Sequence, residues 1–490
     1  MSEQSHASLT NSSLYMSATA QGKDLGPYIY AMKKAGGNVF SDRNVEVRVE
    51  GASPGGTTSV NIPSWGVLRD ATLKVKCKFT NNATNATTPN IARNLHGIVL
   101  KKCVLKNSSK EIETLHGHSI LFKTQNHPDR RRLELAGQSN LILSKTSAQT
   151  GKIVATANTD NEFEVYIPLL FSTFEHPYGC QDSRTNGVDF RFVEQCSFEF
   201  QFAQDWEIAH GGTASGSTNQ TLKTPVTFTD CKLYLDYDIL ADEDMKTVQS
   251  QNYSMSEAQS LLNGNEIQTI ATVASSGSDL DATMTLYNTQ LANAMVIMVY
   301  KERNKADAEA LCDVINTGAS LGITPSGTYD ADEVLQLIQR PWQAHQHVEE
   351  ATTCTARHGA DFVEIDYLEI STSGRTIFKA ESLGELMYLS GRKNRGPNSS
   401  SKWCGEGTEI QGRKGLSDNN IYVIPFTNFS FQDQLSGGSL SLKSLNSIQV
   451  RVKCNECKSN ANYNVEVLTL YNQITQVSAS SGRIVKSISS

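Results

Sequence analysis

Nowhere in this chain of 490 residues do eighteen apolar residues run together, so no segment should cross a bilayer as a helix. The amino terminus, MSEQSHASLTNSS, has no apolar core, so no secretory signal is expected there. A basic arm is missing too: up to Asn44 the only bases are Lys23, Lys33, Lys34 and Arg43, and the whole chain carries a formal charge of −7. Phosphate neutralisation needs clustered Lys and Arg, so direct, sequence-specific binding of nucleic acid is excluded as the main role. There is no phosphate loop, paired-carboxylate motif or zincin helix, which removes several common enzyme classes. Cysteine is scattered rather than framed, and several thiols (Cys77, Cys103, Cys196) fall inside apparent strands, where a free thiol behaves as a small hydrophobe. With no export signal they read as reduced.

What is present is alternation. Val45-Glu-Val-Arg-Val49, Phe198-Glu-Phe-Gln-Phe202, Leu233-Tyr-Leu-Asp-Tyr237 and Val363-Glu-Ile-Asp-Tyr367 all place apolar residues at every second position, the period of a half-buried strand. Clusters of Gly, Asn, Ser and Asp separate these runs, as turns require. Helical patterns are few. Ser254-Met-Ser-Glu257 reads as a capping box opening a helix through Leu262, stopped by Asn263-Gly264, and others fit 304–315, 331–339 and 380–389. Hydrophobic residues at 38% and charged residues at 19% suit a folded chain long enough for two large sandwiches.

The second half repeats the first. Pro63 to Phe79 lies on Leu286 to Lys301, and Val99 to Leu115 on Glu364 to Ala380. Glu162 to Phe174 lies on Asn420 to Phe431 with Ile-Pro in register at 167–168 and 424–425. Phe190 to Phe202 then matches Leu440 to Val452, and Lys232 to Leu240 matches Glu466 to Ile474. Any two amphipathic strands look alike, so the weight rests on the collinear order of all the blocks. It predicts an all-β chain of two tandem eight-stranded antiparallel sandwiches with short helical insertions. The divisions expected are an arm at 1–44, a first sandwich at 45–240, a connector with a short helix at 241–264, a second sandwich at 265–475 and a tail at 476–490. The second sandwich spans one strand-to-strand gap with a long insertion, 302–363, where the first uses only 80–98. The arm and the tail, poor in apolar periodicity, should be disordered alone; the apolar patches Leu25 to Met32 and Gly482 to Val485 fit either ordering on assembly or flexible tails with a chance hydrophobic stretch.

Three stretches carry a family resemblance: Tyr166-Ile-Pro-Leu-Leu-Phe171, then Ile421-Tyr-Val-Ile-Pro-Phe426 followed by Ser436-Gly-Gly-Ser-Leu-Ser-Leu442, and Leu470-Tyr-Asn-Gln-Ile474 with its Ser-Gly tail. In these the chain resembles the double jelly-roll major capsid proteins of double-stranded DNA viruses, the lineage of nucleocytoplasmic large DNA viruses, virophages and adenovirus hexons. The first-copy strand lacks the family's second proline, and the 302–363 insertion matches none of its motifs. The resemblance implies jelly-roll topology and a homotrimer with a pseudo-hexagonal outline that tiles an icosahedral shell. It also implies minor and penton capsid proteins among the partners, an inner side that faces either a membrane or an inner layer, a place in the virion, and no cofactor.

Isolated features are weighed against that frame. Cys454-Asn-Glu-Cys457 is a single CxxC in the turn between the last two strands; without a second pair it reads as a loop with free thiols, a metal half-site or disulfide being the sharper alternative. His116-Gly-His118 and His345-Gln-His347 put two imidazoles on one strand face, but no carboxylate-rich motif completes a metal site nearby. Asp330, Asp332 and Glu333 lack the calcium-loop pattern and suit a helix amino terminus. The basic clusters Arg130, Arg131, Arg132 and Arg392, Lys393, Arg395 each read alone as a solvated surface; their recurrence at equivalent places in the two copies raises the alternative of a shared role in contacting acidic surfaces, lipid headgroups or minor capsid proteins. The competing functions are a glycan-binding, adhesin-like sandwich, which would normally be exported, and a glycoside hydrolase, which needs two carboxylates across a cleft.

The insertion generates a prediction. Its Gly/Ser/Thr stretch, Asn316 to Thr328, reads as a projection at one end of the second sandwich. Deleting 318–328 should leave folding intact and change trimer stability, measured by sedimentation; wholesale insolubility of the shortened chain would instead place the segment in the core.

Overall fold

A computed structural model describes residues 40–80, 90–91, 95–120, 160–171, 190, 195–210, 224–240, 259–287, 291–302, 363–372, 374–393, 422–426, 440–441, 447–455, 457, 461–478 and 483–487. The first half contains β1 (Phe40–Arg48), β2 (Thr57–Asn61), β3 (Val67–Thr80), β4 (Asn90–Ile91), β5 (Leu100–Asn107), β6 (Lys110–His116), β7 (Asp160–Pro168), β8 (Cys196–Phe202), a one-turn helix α1 (Asp205–Ile208), β9 (Ala209–His210) and β10 (Thr224–Leu240). The second contains β11 (Gln259–Ala274), β12 (Leu280–Leu286), β13 (Leu291–Lys301), β14 (Tyr367–Thr372), β15 (Arg375–Ala380), α2 (Leu383–Lys393), β16 (Tyr422–Pro425), β17 (Leu440–Ser441), β18 (Ile448–Cys454), β19 (Asn462–Ser478) and β20 (Arg483–Ser487).

Strand order repeats between the halves. The first has sheets β1-β10-β3-β7 and β2-β8-β5-β6; the second has β11-β19-β13-β16 and β12-β18-β14-β15. Each of these eight strands therefore has a counterpart at the same place in the other half, and all the pairings are antiparallel; the β4-β9 pair, β17 on β13 and β20 on β19 stand outside the match. The two ladders that hold the sequence's repeated Ile-Pro end alike: Pro168 lies opposite Thr72 at the end of β7, and Pro425 opposite Ala294 at the end of β16. A proline lacks the amide that a further ladder bond would need, so it suits a strand end.

Each half closes on its own interior. In the first, Leu73, Val75, Cys77 and Phe79 of β3 face Leu233 and Leu235 of β10 and the aromatic row Phe198, Phe200, Phe202 of β8. Phe171 stacks on Phe198 with ring centroids 5.6 Å apart. The intervening residues of β3 form a diagonal ladder with β7: Lys74–Glu164 at 2.8 Å, Lys76–Glu162 at 2.6 Å and Lys78–Asp160 at 2.6 Å. These partly exposed pairs contribute little each, but they leave that face charge-balanced.

The second half differs in one respect. Its β13 is buried at every position from Ala294 to Tyr300, and β16 and the middle of β19 are buried likewise. Met295, Ile297, Val299, Tyr422, Ile424, Val465 and Val467 fill the sandwich interior. Val296, Met298, Tyr300, Val423, Leu468 and Leu470 are buried outside that interior. The strands β13, β16 and the middle of β19 are thus covered on both faces, while the edge strand β11 leaves Ile270 exposed.

Several expectations need correction. The capped helix expected through Leu262 is not there from Gln259 onward, because β11 begins at that residue. Asn263 and Gly264, read as its stop signal, pair instead with Gln473 and Asn472 in a ladder that runs unbroken from Gln259↔Val477 to Ala274↔Asn462. A helix of two turns is marginal in isolation, whereas an adjacent long strand offers every backbone group a partner. The connector expected at 241–264 is thus shortened by β11. The expected tail at 476–490 contains the end of β19 and all of β20, which pair Ser478↔Arg483 to Ile474↔Ser487, and the expected arm at 1–44 contains the start of β1. The helix read at 380–389 is α2, Leu383–Lys393. The helix patterns at 304–315 and 331–339, and the insertion apart from Glu302, which continues β13, and Val363, lie outside the described residues.

Truncating the aromatic row tests where the first core lies. Phe200→Ala, at a fully buried site, should destabilise the first half by about 3–5 kcal/mol, read by urea unfolding.

Candidate functional site: the junction of the two sandwiches

His116-Gly-His118 ends β6 and enters a single helical turn at 117–120. Gly117 fits there because a Cβ would stand 2.4 Å from the carbonyl oxygens of Gly97 and Leu100. No side chain can be accommodated at such a distance, so the glycine lets this turn press against the backbone of residues 97–100. That close approach aims the flanking histidines away from their own sandwich.

Both meet carboxylates of the second sandwich. Glu266 of β11 accepts through one oxygen from the His116 backbone amide at 2.6 Å and from the Ser119 hydroxyl at 2.7 Å, with His116 Nδ1 at 3.2 Å. Glu466 of β19 lies 2.8 Å from His118 Nδ1 through one oxygen, and its other oxygen accepts from Gln268 Nε2 at 2.7 Å. The Tyr300 hydroxyl also bonds Glu466, and the Tyr300 ring stands edge-on to His118 with centroids 5.1 Å apart. Glu466 has no exposed surface. Burial alone would push its carboxyl up; the His118 charge and the hydrogen bonds from His118, Tyr300 and Gln268 outweigh it and hold the carboxyl below the usual range. Nearby, burial and then the charges of Glu113 and Glu266 push the Tyr471 phenol up to about 12. The chemistry available is charge compensation across an interface. Among the described residues, no group of three or more His, Cys, Asp or Glu is arranged to hold a metal ion.

The other singled-out residues fall elsewhere. Cys454 ends β18 and Cys457 follows in the turn; both are buried, and the Cys457 amide donates to the Ser278 carbonyl at 2.9 Å. The two thiols bond each other, and that contact with burial drives Cys454 well up, which makes it a poor nucleophile. All cysteines among the described residues are free and buried, and burial lifts the thiols of Cys196 and Cys231 to about 12. Arg392 and Lys393 are the last residues of α2. Arg130, Arg131, Arg132, Arg395, His345, His347, Asp330, Asp332 and Glu333 lie outside the described residues.

Sequence reading noticed the two histidines but looked for a local partner. Their partners lie 150 and 348 residues away in sequence, on strands of the other sandwich. The only local signal was an acidic residue inside an otherwise apolar run, Val465-Glu-Val-Leu468.

No family model matches the chain, and no curated protein does. Solved structures do match over nearly the full length. PBCV-1 VP54, fitted into a reconstruction of the virophage Sputnik, is 11% identical with a TM-score of 0.58, covering 92% of this chain and 97% of that one. The Faustovirus major capsid protein is 9% identical with a TM-score of 0.53, covering 95% and 97%. The mavirus major capsid protein is 10% identical with a TM-score of 0.51, covering 91% and 90%. At such identity the likeness is one of fold: this chain is a double jelly roll of the kind those capsid proteins have.

The depressed Glu466 carboxyl sets an acid limb. A group whose folded pKa lies below its unfolded value stabilises the fold above the ordinary carboxylate range, and that contribution is lost as pH falls through the folded value. Glu466→Gln should lower stability at neutral pH by about 1–3 kcal/mol and flatten the decline below pH 4.5, the ordinary value, in urea-unfolding series across pH. An unchanged acid limb in the variant would assign the limb to other carboxylates.

Proposed function

We propose that this chain is a major capsid protein that associates as pseudo-hexagonal homotrimers and tiles an icosahedral viral shell. The observation that carries the reading is the exact repetition of strand order in two tandem jelly rolls. Three such chains around a threefold axis present six similar sandwiches, and that outline packs hexagonally. The solved structures with this double fold support it, two of them being major capsid proteins by name. The formal charge of −7 supports a shell that faces a membrane or an inner protein layer rather than naked genome. On this reading the protein is a virion component without catalytic activity, and the clusters Arg130–Arg132 and Arg392–Arg395 contact minor or penton capsid proteins or lipid headgroups.

Capsomers that must not dissociate in a particle need an obligate interface, more than about 2,000 Å² per pair of chains. Purified protein should therefore sediment as a trimer at micromolar concentration and show compact three-fold or hexagonal outlines in negative stain. A stable monomer under those conditions would overturn the proposal.

A further inference from the structure

Within the chain, β6 and the turn after it pack on β11 of the second sandwich. The second sandwich has the same edge, β15 followed by α2. The two hairpins correspond residue by residue: each has a bulge at the same place, between Leu105 and Lys106 and between Ile370 and Ser371, and their turns close on Asn107↔Lys110 and Thr372↔Arg375. Ile112, Glu113 and His116 therefore stand where Ile377, Phe378 and Glu381 stand in the second copy. The first three are buried; Ile377 and Phe378 are half-buried and Glu381 is exposed. Further on, Ser119 and Ile120 are fully buried, whereas Tyr388 of α2 is 68% exposed and Leu383 and Leu389 are half-buried. At Glu113 and His116 the cover comes from the second sandwich, through Tyr471 and Glu266. The edge of β15 and α2 thus has the form of a docking element with its cover missing.

We propose that the β15–α2 edge docks on the outer face of β1 and β10 in a second copy of this chain, repeating between chains the contact that β6 makes on β11 within one. The surface rests on the trimer proposed above: three such contacts alternate with the three internal junctions around a ring of six sandwiches. The receiving residues follow from register. Pro168 and Pro425 put Thr72 in the place of Ala294, hence Tyr234 in that of Leu470 and Glu46 in that of Glu266. Lys74, Lys76 and Lys232 likewise stand where Val296, Met298 and Leu468 stand. Glu266 is 1% exposed and Glu46 48%. The exchange of apolar residues for lysines has a physical reason. An internal junction is hidden once the chain folds, but a face between chains is solvated until assembly and must not aggregate meanwhile. The incoming edge suits such a face: the Phe378 and Tyr388 rings can take lysine stems and ammonium groups, and the Glu381 carboxylate can meet Arg48 and Lys232, which lie opposite each other on β1 and β10. The helix is also preformed. Glu385 accepts from the Glu381 amide at 2.8 Å, and the Glu385 amide donates to the Ser382 hydroxyl at 3.2 Å, a capping box that holds α2 ready.

Isotopically light and heavy full-length chains, refolded together and treated with a carbodiimide, test this, because the reagent joins carboxylates to lysines in contact. Peptides from 375–393 should be found joined to peptides from 40–61 or 224–240 as light–heavy pairs, which only a link between chains can give. Tyr388→Ala should speed subunit exchange between light and heavy trimers about ten-fold or more, read by native mass spectrometry, and leave the circular dichroism of the chain unchanged. A trimer with no light–heavy link from 375–393 to the first sandwich overturns the docking surface and leaves the trimer standing; so does subunit exchange unaltered by Tyr388→Ala. An unaltered chain that sediments as a monomer overturns both. The cross-linking arm uses the unaltered protein and depends on no variant folding.

Discussion

A β-sheet covered on both faces can carry no solvated side, and every polar group it does contain must find its partner within the protein. The strands β13, β16 and the middle of β19 are under that constraint, and the junction of the two sandwiches follows from it. The central strand β13 gives up alternation altogether, reading Ala-Met-Val-Ile-Met-Val-Tyr from Ala294 to Tyr300, all buried. Its counterpart β3 sits in the equivalent place of the first sandwich with one face open, and there lysine alternates with Leu73, Val75, Cys77 and Phe79. Two copies of one topology thus carry different residue patterns because they have different neighbours.

The junction is the polar consequence. Glu466 stands in β19 on the covered side, so its two oxygens are taken up by His118, Gln268 and Tyr300. The first sandwich delivers those imidazoles from a turn that only glycine can hold so close to the backbone at Gly97 and Leu100. Packing, turn geometry and charge all point the same way, which is how a sequence specifies one arrangement of two similar units rather than several. Buried ion pairs add little net stability over apolar packing, so their contribution here is to fix which surfaces meet.

Much of this was legible beforehand. Alternation revealed the strands, and collinear blocks revealed the tandem sandwiches, because strand identity depends on local period and order alone. The register of β11 was not legible. Ser254 to Gly264 satisfies local helix rules, yet residues from Gln259 on are claimed by β19 some two hundred positions later, and no local rule sees that partner. Glu466 passed without notice for the same reason. With Val465 and Val467 pointing inward, alternation assigns it to solvent, and only the presence of a second sandwich makes that face an interior. The histidines at 116 and 118 were visible as a pair, but their purpose lay on strands 150 and 348 residues distant.

The pairing of β13 also has a consequence in time. Its main partner β19 begins at Asn462, the centre of the second sheet yet nearly the last strand to be made. At 5–20 residues per second, a ribosome needs roughly ten to thirty seconds to travel from one to the other. Throughout that interval the most apolar strand of the chain has neither its central ladder partner nor a completed sheet to lie in. The first sandwich, finished at β10, is already available, and its junction face is a surface against which the waiting strand can shelter. Nascent chains that stall in that window expose an unpaired apolar edge, the usual seed of aggregation. The order in which the halves are encoded, closed sandwich first, confines that exposure to strands of the second half, β11 and β13 waiting for β19 and β12 and β14 for β18.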